Sequence, residues 1–180
     1  MPSEAEALTA FIHWVQTICV GRHIKDVNAL CDGSALFEVL QGVDDVHFLP
    51  PRSSSLETLH RRVVSFCTQE LHIPEEVLPD IDIKEASKER SPSKSDLLKL
   101  LRLVLVIVLK SDHNDEQVNA MQTLSLDEQL IMKQVVEDVL SDYTSSDTTP
   151  PTTKEPIDGG ANREEVITLR RDLELGKQRL

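Results

Sequence analysis

Apolar residues in the first part of the chain recur at intervals of three and four, the spacing that places them on one face of an α-helix. Alternating runs of β-branched and aromatic residues, which would indicate strands, are few. The pattern therefore predicts an all-α fold. The predicted helices run from a cap at Ser3 to Gly21, over 36–43, 56–67, 97–110 and 116–122, and from Ser125 to about Tyr143.

Polar residues mark the expected helix starts and breaks. A serine followed three residues later by a glutamate is the capping-box pattern, and it occurs at Ser3–Glu6, Ser54–Glu57 and Ser125–Glu128. Either Ser93 or Ser95 is expected to cap the helix over 97–110. The polar segment 82–95 is predicted to be a loop, and a single helical turn is expected at 74–78. Trp14 lies off the centre of the first apolar stripe, so we expect it at the border of that stripe.

The helix over 97–110 is apolar nearly all round, which is typical of a central, buried helix. Its β-branched residues leave a buried strand as an alternative, but its length and the absence of partner strands favour a helix.

The last predicted helix has an unusually wide apolar face. At 100° per residue its apolar side chains spread over about 180°, whereas packing on one core requires about 100°. One interpretation is that half of the face packs on the domain while the other half, with Gln129 beside it, receives a partner helix. The alternative is that the whole helix is sandwiched inside the fold. The first half comprises Ile131, Val135 and Val139, and the second comprises Met132, Val136 and Leu140.

Two further segments follow the helical domain, which is expected to span 1–143. Residues 144–161 are rich in Thr, Pro, Ser, Asp and Gly, and they predict a flexible linker. In 162–180 the apolar residues Val166, Leu169, Leu173 and Leu180 follow heptad spacing, with Gly176 in one seam position. This pattern indicates the start of a coiled coil, through which a longer protein would form a homodimer. A lone surface helix or a frayed terminus is the alternative.

Charge and cysteine content narrow the classes of partner. The chain carries a formal net charge of −12 and a pI near 4.9, which is unfavourable for binding nucleic acid or anionic membrane. It also argues mildly against direct binding to acidic filaments. The three cysteines have no paired spacing and lie in apolar stretches, which suggests buried free thiols in a reducing compartment. With no leader sequence, and with the run 97–109 too short and charged to span a bilayer, the chain is expected to be cytosolic.

No pattern of catalytic or metal-ligating residues stands out. The six histidines are scattered without metal-ligand spacing, and phosphate-loop, dinucleotide, nucleophile-elbow and calcium-loop motifs are not found. We therefore expect no catalytic, cofactor-binding or metal-binding residues and no enzymatic activity.

Three segments together resemble one family. Residues 11–15, which contain the central Trp14, look like the first helix of a calponin-homology domain, and residues 29–36 are similar to its L-x-D-G-x-x-L signature. Residues 78–81 followed by the leucine-rich run 97–109 resemble the Hook domain, the divergent calponin-homology head of Hook and Hook-related coiled-coil proteins. The resemblance covers roughly residues 5–143, and the order of the three segments carries it.

The resemblance implies a calponin-homology-like helical bundle with an extra C-terminal helix, and a role in cargo transport. Hook proteins are dynein–dynactin adaptors whose extra helix binds the amphipathic helix of the dynein light intermediate chain through a glutamine flanked by apolar residues. The matching positions here are Leu124, Gln129, Met132, Val136 and Leu140. Dynactin and cargo-linking proteins would bind through the downstream coiled coil, in the cytoplasm and on microtubules. The chain departs from the family in a shorter 50–51 loop, an unusual polar segment at 84–94, and a Val136 that replaces a larger aliphatic residue.

Two alternatives stay open at the level of sequence. A calponin-homology module can bind actin or microtubules directly, and spindle or centrosomal coiled-coil proteins carry a similar head.

Overall fold

Seven α-helices and two 3₁₀ turns make up the part of the chain that the computed structural model describes, residues 2–144. No strand occurs within these residues, so the predicted all-α class is confirmed for them. The predicted linker at 144–161, beyond its first residue, and the predicted coiled coil at 162–180 lie outside the described residues. The helices are α1 (Glu4–Ile18), α2 (Ser34–Gln41), α3 (Leu56–Gln69), α4 (Ile83–Ala86), α5 (Lys94–Lys110), α6 (Asp115–Gln122) and α7 (Leu126–Thr144), and the 3₁₀ turns are Val27–Leu30 and Glu75–Val77.

Helix α5 lies at the centre of the fold, as its all-round apolar pattern predicts. It contacts α1, α2, α3, α4 and α7, and its apolar residues from Leu97 to Val108 are mostly buried. Its N-cap is Ser93, whose hydroxyl accepts a hydrogen bond from the Asp96 amide. Over residues 2–144, no helix is both long enough and apolar enough to cross a bilayer.

The predicted capping boxes at Ser3 and Ser125 are confirmed, but the one at Ser54 is wrong. Helix α3 is capped by Ser55, whose hydroxyl accepts a 3.1 Å hydrogen bond from the Thr58 amide. The helix begins at Leu56, so the residue directly before it, Ser55, occupies the N-cap position.

The segment 82–95 is not entirely a loop. Residues Ile83–Ala86 form the one-turn helix α4, capped by the Asp82 carboxylate, which accepts from the Glu85 amide at 3.1 Å. This turn fully buries only one residue, Ala86. A single small buried residue leaves no apolar period in the sequence, which explains why the pattern did not predict the turn.

Trp14 is fully buried, rather than at the border of the α1 stripe. Its indole N–H donates a 2.9 Å hydrogen bond to the Gln117 carbonyl of α6. The side-chain amide of Gln117 in turn donates to the Val39 carbonyl of α2 at 3.2 Å. Because α6 covers the side of α1 that carries Trp14, α1 is buried over more of its circumference than one stripe suggests.

Two glycines lie near helix ends. Helix α1 ends at Ile18, before the predicted stop at Gly21. Gly33 forms a bend with Asp32 and occupies the N-cap of α2 with a φ of 75°. A Cβ there would lie 3.2–3.3 Å from backbone atoms of Ser55 and Leu56, so the bend requires glycine for both conformation and space. The three cysteines are buried free thiols, as predicted.

Candidate protein-binding surface on the last helix

The start of α7 is tied to α1 by one carboxylate. Glu128 accepts from the Ser125 amide at 3.1 Å, and the Ser125 hydroxyl accepts from the Glu128 amide at 3.4 Å, which completes the capping box. The other carboxylate oxygen contacts Nδ1 of His13 on α1. Burial alone would raise the pKa of Glu128, but the hydrogen bonds from His13 and Ser125 hold it below its usual value. The first turn of α7 is therefore held by the Glu128 carboxylate, through Ser125 and His13.

Gln129 fastens the turn between α6 and α7. Its side-chain amide donates to the Gln122 carbonyl at 2.9 Å and to the Leu124 carbonyl at 2.7 Å. These carbonyls lie at and just beyond the end of α6, where backbone acceptors have no helical partner. The side chain is half-buried, so it remains in reach of a molecule that approaches this end of α7.

The inner face of α7 is a stripe of buried side chains. Met132 is 1% exposed and Val136 is 7% exposed within the domain itself. At 100° per residue the stripe spans about 100°, the width expected for packing on one core. It packs within a layer of α1, α5 and α6. Its members are Met132, Val135, Val136, Val139 and Tyr143.

This burial corrects one part of the sequence interpretation. Met132, Val136 and Leu124 were expected to lie on an open half of the face, and all three are buried within the fold. The centre of the apolar arc faces the core, and its two edges, Ile131 and Leu140, are half-buried. The sandwiched alternative thus describes the centre of the helix, while the role of these residues in binding stays a prediction.

Polar contacts and shallow clefts flank α7. Arg102 of α5 lies 3.6 Å from the Asp138 carboxylate, a second link between α7 and the domain. Burial raises the pKa of the neighbouring Tyr143 to about 12. One cleft of about 240 Å³ is lined by Ala5, Glu6, Thr9, Glu128 and Ile131, and another of about 190 Å³ by Val77, Pro79, Lys99, Arg102, Val139, Asp142 and Tyr143. Residues 2–144 contain no cluster of three or more metal-ligating side chains.

Comparison with solved structures identifies this architecture. The chain matches the solution structure of the conserved domain of HOOK1 protein from mouse with a TM-score of 0.62 and 20% sequence identity, over 76% of this chain and 92% of that domain. The chain has the Hook-domain fold. No family model matches the sequence, and no curated protein matches it significantly.

The Hook-domain fold confirms the architecture that the three sequence segments implied. At 20% identity the likeness establishes the fold, and it leaves the partner to be proposed from the surface of this chain. Of the five predicted binding residues, Gln129 and Leu140 reach the surface in part, and Leu124, Met132 and Val136 do not.

Two residues that sequence analysis did not select complete the surface of the last helix in this Hook fold. Leu126 is 78% exposed and Leu130 is 62% exposed, and both lie in the N-terminal part of α7. Their spacing of four places them on one side of the helix, beside Gln129, and Leu140 lies on the same side about 15 Å further along. We call these four residues the α7 edge. The sequence analysis concentrated on the wide apolar arc, most of which is buried. The signal for the exposed surface was the i, i+4 pair Leu126 and Leu130, which lies outside that arc.

Proposed function

We propose that this domain is the head of a dynein adaptor, and that α7 binds the amphipathic helix of the dynein light intermediate chain. The Hook-domain fold supports the class of protein. The observation that carries the proposal is the α7 edge, where exposed leucines adjoin the glutamine that the family resemblance marks as necessary for this contact. The role is binding rather than catalysis.

The two exposed leucines fit helix recognition. Leu126 and Leu130 lie one turn apart, and leucine pairs at this spacing match the i, i+4 anchors that an amphipathic partner helix supplies. A leucine exposed by itself needs no explanation, but two on one side of a helix beside a half-buried glutamine form a small apolar patch. The patch is open in the isolated domain, so first contact requires no rearrangement.

The buried residues take part only if α7 shifts. Met132 and Val136 lie on the inner face of α7, where a partner helix cannot touch them in the described conformation. Displacement of α7 would break the Glu128–His13 and Arg102–Asp138 contacts and uncover the buried stripe. Because the binding-competent conformation is then populated by only a fraction of the molecules, the apparent affinity is the intrinsic affinity multiplied by that fraction. We propose initial docking on the α7 edge, followed by displacement of α7 and insertion against Met132 and Val136.

The charge of α7 indicates the kind of partner helix. The exposed residues of α7 include the acids Asp127, Glu137 and Asp142, at different angles around the helix, and the lysine Lys133. The helix is therefore net negative, and a partner helix with basic residues flanking its apolar face would be attracted to it. Binding should therefore weaken as the salt concentration rises.

A titration tests the proposal. A fluorescently labelled light-intermediate-chain helix peptide is titrated with the full chain and with two variants. Gln129→Ala should weaken binding severely, because it removes the polar side chain beside the two exposed leucines. The matched control is Gln134→Ala, an exposed glutamine on the same helix that lies outside the α7 edge, and it should bind like wild type. Absence of binding at high micromolar concentration would remove the proposal.

The wider role rests on the same proposal. Two heads would be joined by the downstream coiled coil, which would also bind dynactin and cargo-linking proteins in the cytoplasm. The domain would then hold the motor at one end of a microtubule-based transport complex, with the cargo at the other.

A further inference from the structure

A short segment before the central helix is held by no hydrogen bond. Within residues 2–144, no backbone or side-chain hydrogen bond involves residues 89–92, and Glu89, Arg90 and Ser91 are exposed. Both flanks are anchored: the Cys31 thiol donates to the Lys88 carbonyl at 3.8 Å, and the Ser93 amide donates to the Glu85 carbonyl at 2.9 Å. The segment can therefore be drawn into an extended conformation without disturbing the core.

This segment carries a recognition sequence for protein kinases. Ser91 is followed by Pro92, and Lys94 lies three residues after the serine. Proline-directed serine/threonine kinases select a proline directly after the acceptor residue, and many of them also select a basic residue two positions beyond that proline. The chain contains one other Ser/Thr-Pro step, at Thr149, and Thr152 there takes the place of the basic residue.

The surroundings of Ser91 suit a phosphate group. Lys88 pairs with the Glu85 carboxylate at 2.6 Å, while Arg90 and Lys94 make no ion pair within the described part of the chain. A phosphoserine would carry about −1.5 to −2 charges and three acceptor oxygens between these two cations. It would also lie two residues before the N-cap of α5, on the side of the helix that attracts negative charge.

We propose that Ser91 is a phosphorylation site for a proline-directed serine/threonine kinase. The γ-phosphoryl group passes from ATP to the Ser91 oxygen: the bond between the γ-phosphorus and the β–γ bridging oxygen breaks, a bond from phosphorus to Oγ forms, ADP leaves, and the hydroxyl proton goes to the base of the kinase. The phosphate pairs with Arg90 and Lys94, which orders residues 89–92, and it changes the formal charge of residues 89–94 from +1 to about −1. This site is independent of the α7 edge.

The test uses the full chain, a cyclin-dependent kinase and magnesium ATP, with fragment mass spectrometry to locate the phosphate. Wild type should gain one phosphate at Ser91, and Ser91→Ala should lose that modification completely. Pro92→Ala should also lose it, and Lys94→Gln should slow it. Hydrogen exchange should show slower exchange of the amides at 89–91 in the phosphorylated chain.

A peptide that covers residues 86–98 serves as the control for kinase activity. Phosphorylation of this peptide together with an unmodified Ser91 in the folded chain would overturn the proposal, because it would show that the fold withholds the serine. Exclusive modification at Thr149, or modification of Ser91 that is unaffected by Pro92→Ala, would also overturn it.

Discussion

Met132 and Leu130 are nearly adjacent in α7 but lie in opposite environments, which makes them a matched pair. Met132 is 1% exposed within the core, and Leu130 is 62% exposed. Truncation of Met132 to alanine removes buried methylene and sulfur atoms and leaves a cavity. We expect Met132→Ala to lower the free energy of unfolding by about 2–4 kcal/mol. For a domain of this size, the loss corresponds to a fall in Tm of about 6–12 °C.

Leu130→Ala provides the control. Its side chain contributes little buried area, and alanine is a slightly better helix former, so the change should stay within about 0.5 kcal/mol. Both variants are measured by urea denaturation followed by circular dichroism at 222 nm. A neutral Met132→Ala together with a strongly destabilising Leu130→Ala would refute the orientation of α7. The open half-face inferred from the sequence would then be correct.

Three further outcomes follow from the structure. Gly33→Ala should lower the free energy of unfolding by about 1–3 kcal/mol in urea denaturation, because its φ of 75° and close backbone neighbours exclude a Cβ. Gly21→Ala, with open space around it, should leave the free energy of unfolding nearly unchanged. Equal effects of the two substitutions would contradict this reasoning. The pKa of Glu128 is lowered in the folded chain, so the ionised carboxylate stabilises the fold fully at pH values above its ordinary pKa of 4.5. This stabilisation is lost as the pH falls through the lower pKa of the folded state. Glu128→Gln should therefore flatten the loss of stability below about pH 4.5, and an unchanged acid profile would count against the contact. Burial raises the pKa of Cys19 and Cys67 to about 12, so both thiols should react with a thiol reagent only after unfolding, and rapid reaction of the native chain would disprove their burial.

Helix positions were predictable because amphipathic spacing and caps are local properties of the sequence. Helices α1, α3, α5 and α7 each carry several turns of apolar periodicity, and the periodicity locates them within a few residues. Helix α4 was not predictable, because one turn that buries a single alanine has no period. Cap positions are harder to predict than helices, since Ser54 and Ser55 are both suitable residues and only the structure places Ser55 at the N-cap.

Burial that depends on tertiary neighbours could not be derived from one helix at a time. Trp14 was placed at the border of a stripe because the pattern of α1 does not reveal that α6 covers that side. In α7 the same limitation affected Met132 and Val136: the width of the apolar arc was evident, but which part faces the core depends on α1, α5 and α6. The helix pattern placed Gln129 beside the apolar face and the family resemblance gave it a binding role, but its hydrogen bonds to the end of α6 emerged only from the fold.

We propose that α7 binds a helix of the dynein light intermediate chain. Hydrogen–deuterium exchange of the full chain, measured with and without the light-intermediate-chain helix peptide, locates the binding surface. A saturating peptide should alter exchange at 122–140, with protection along the α7 edge in wild type and none in Gln129→Ala. Unchanged exchange over 122–140, or protection confined to a different part of the domain, would contradict it.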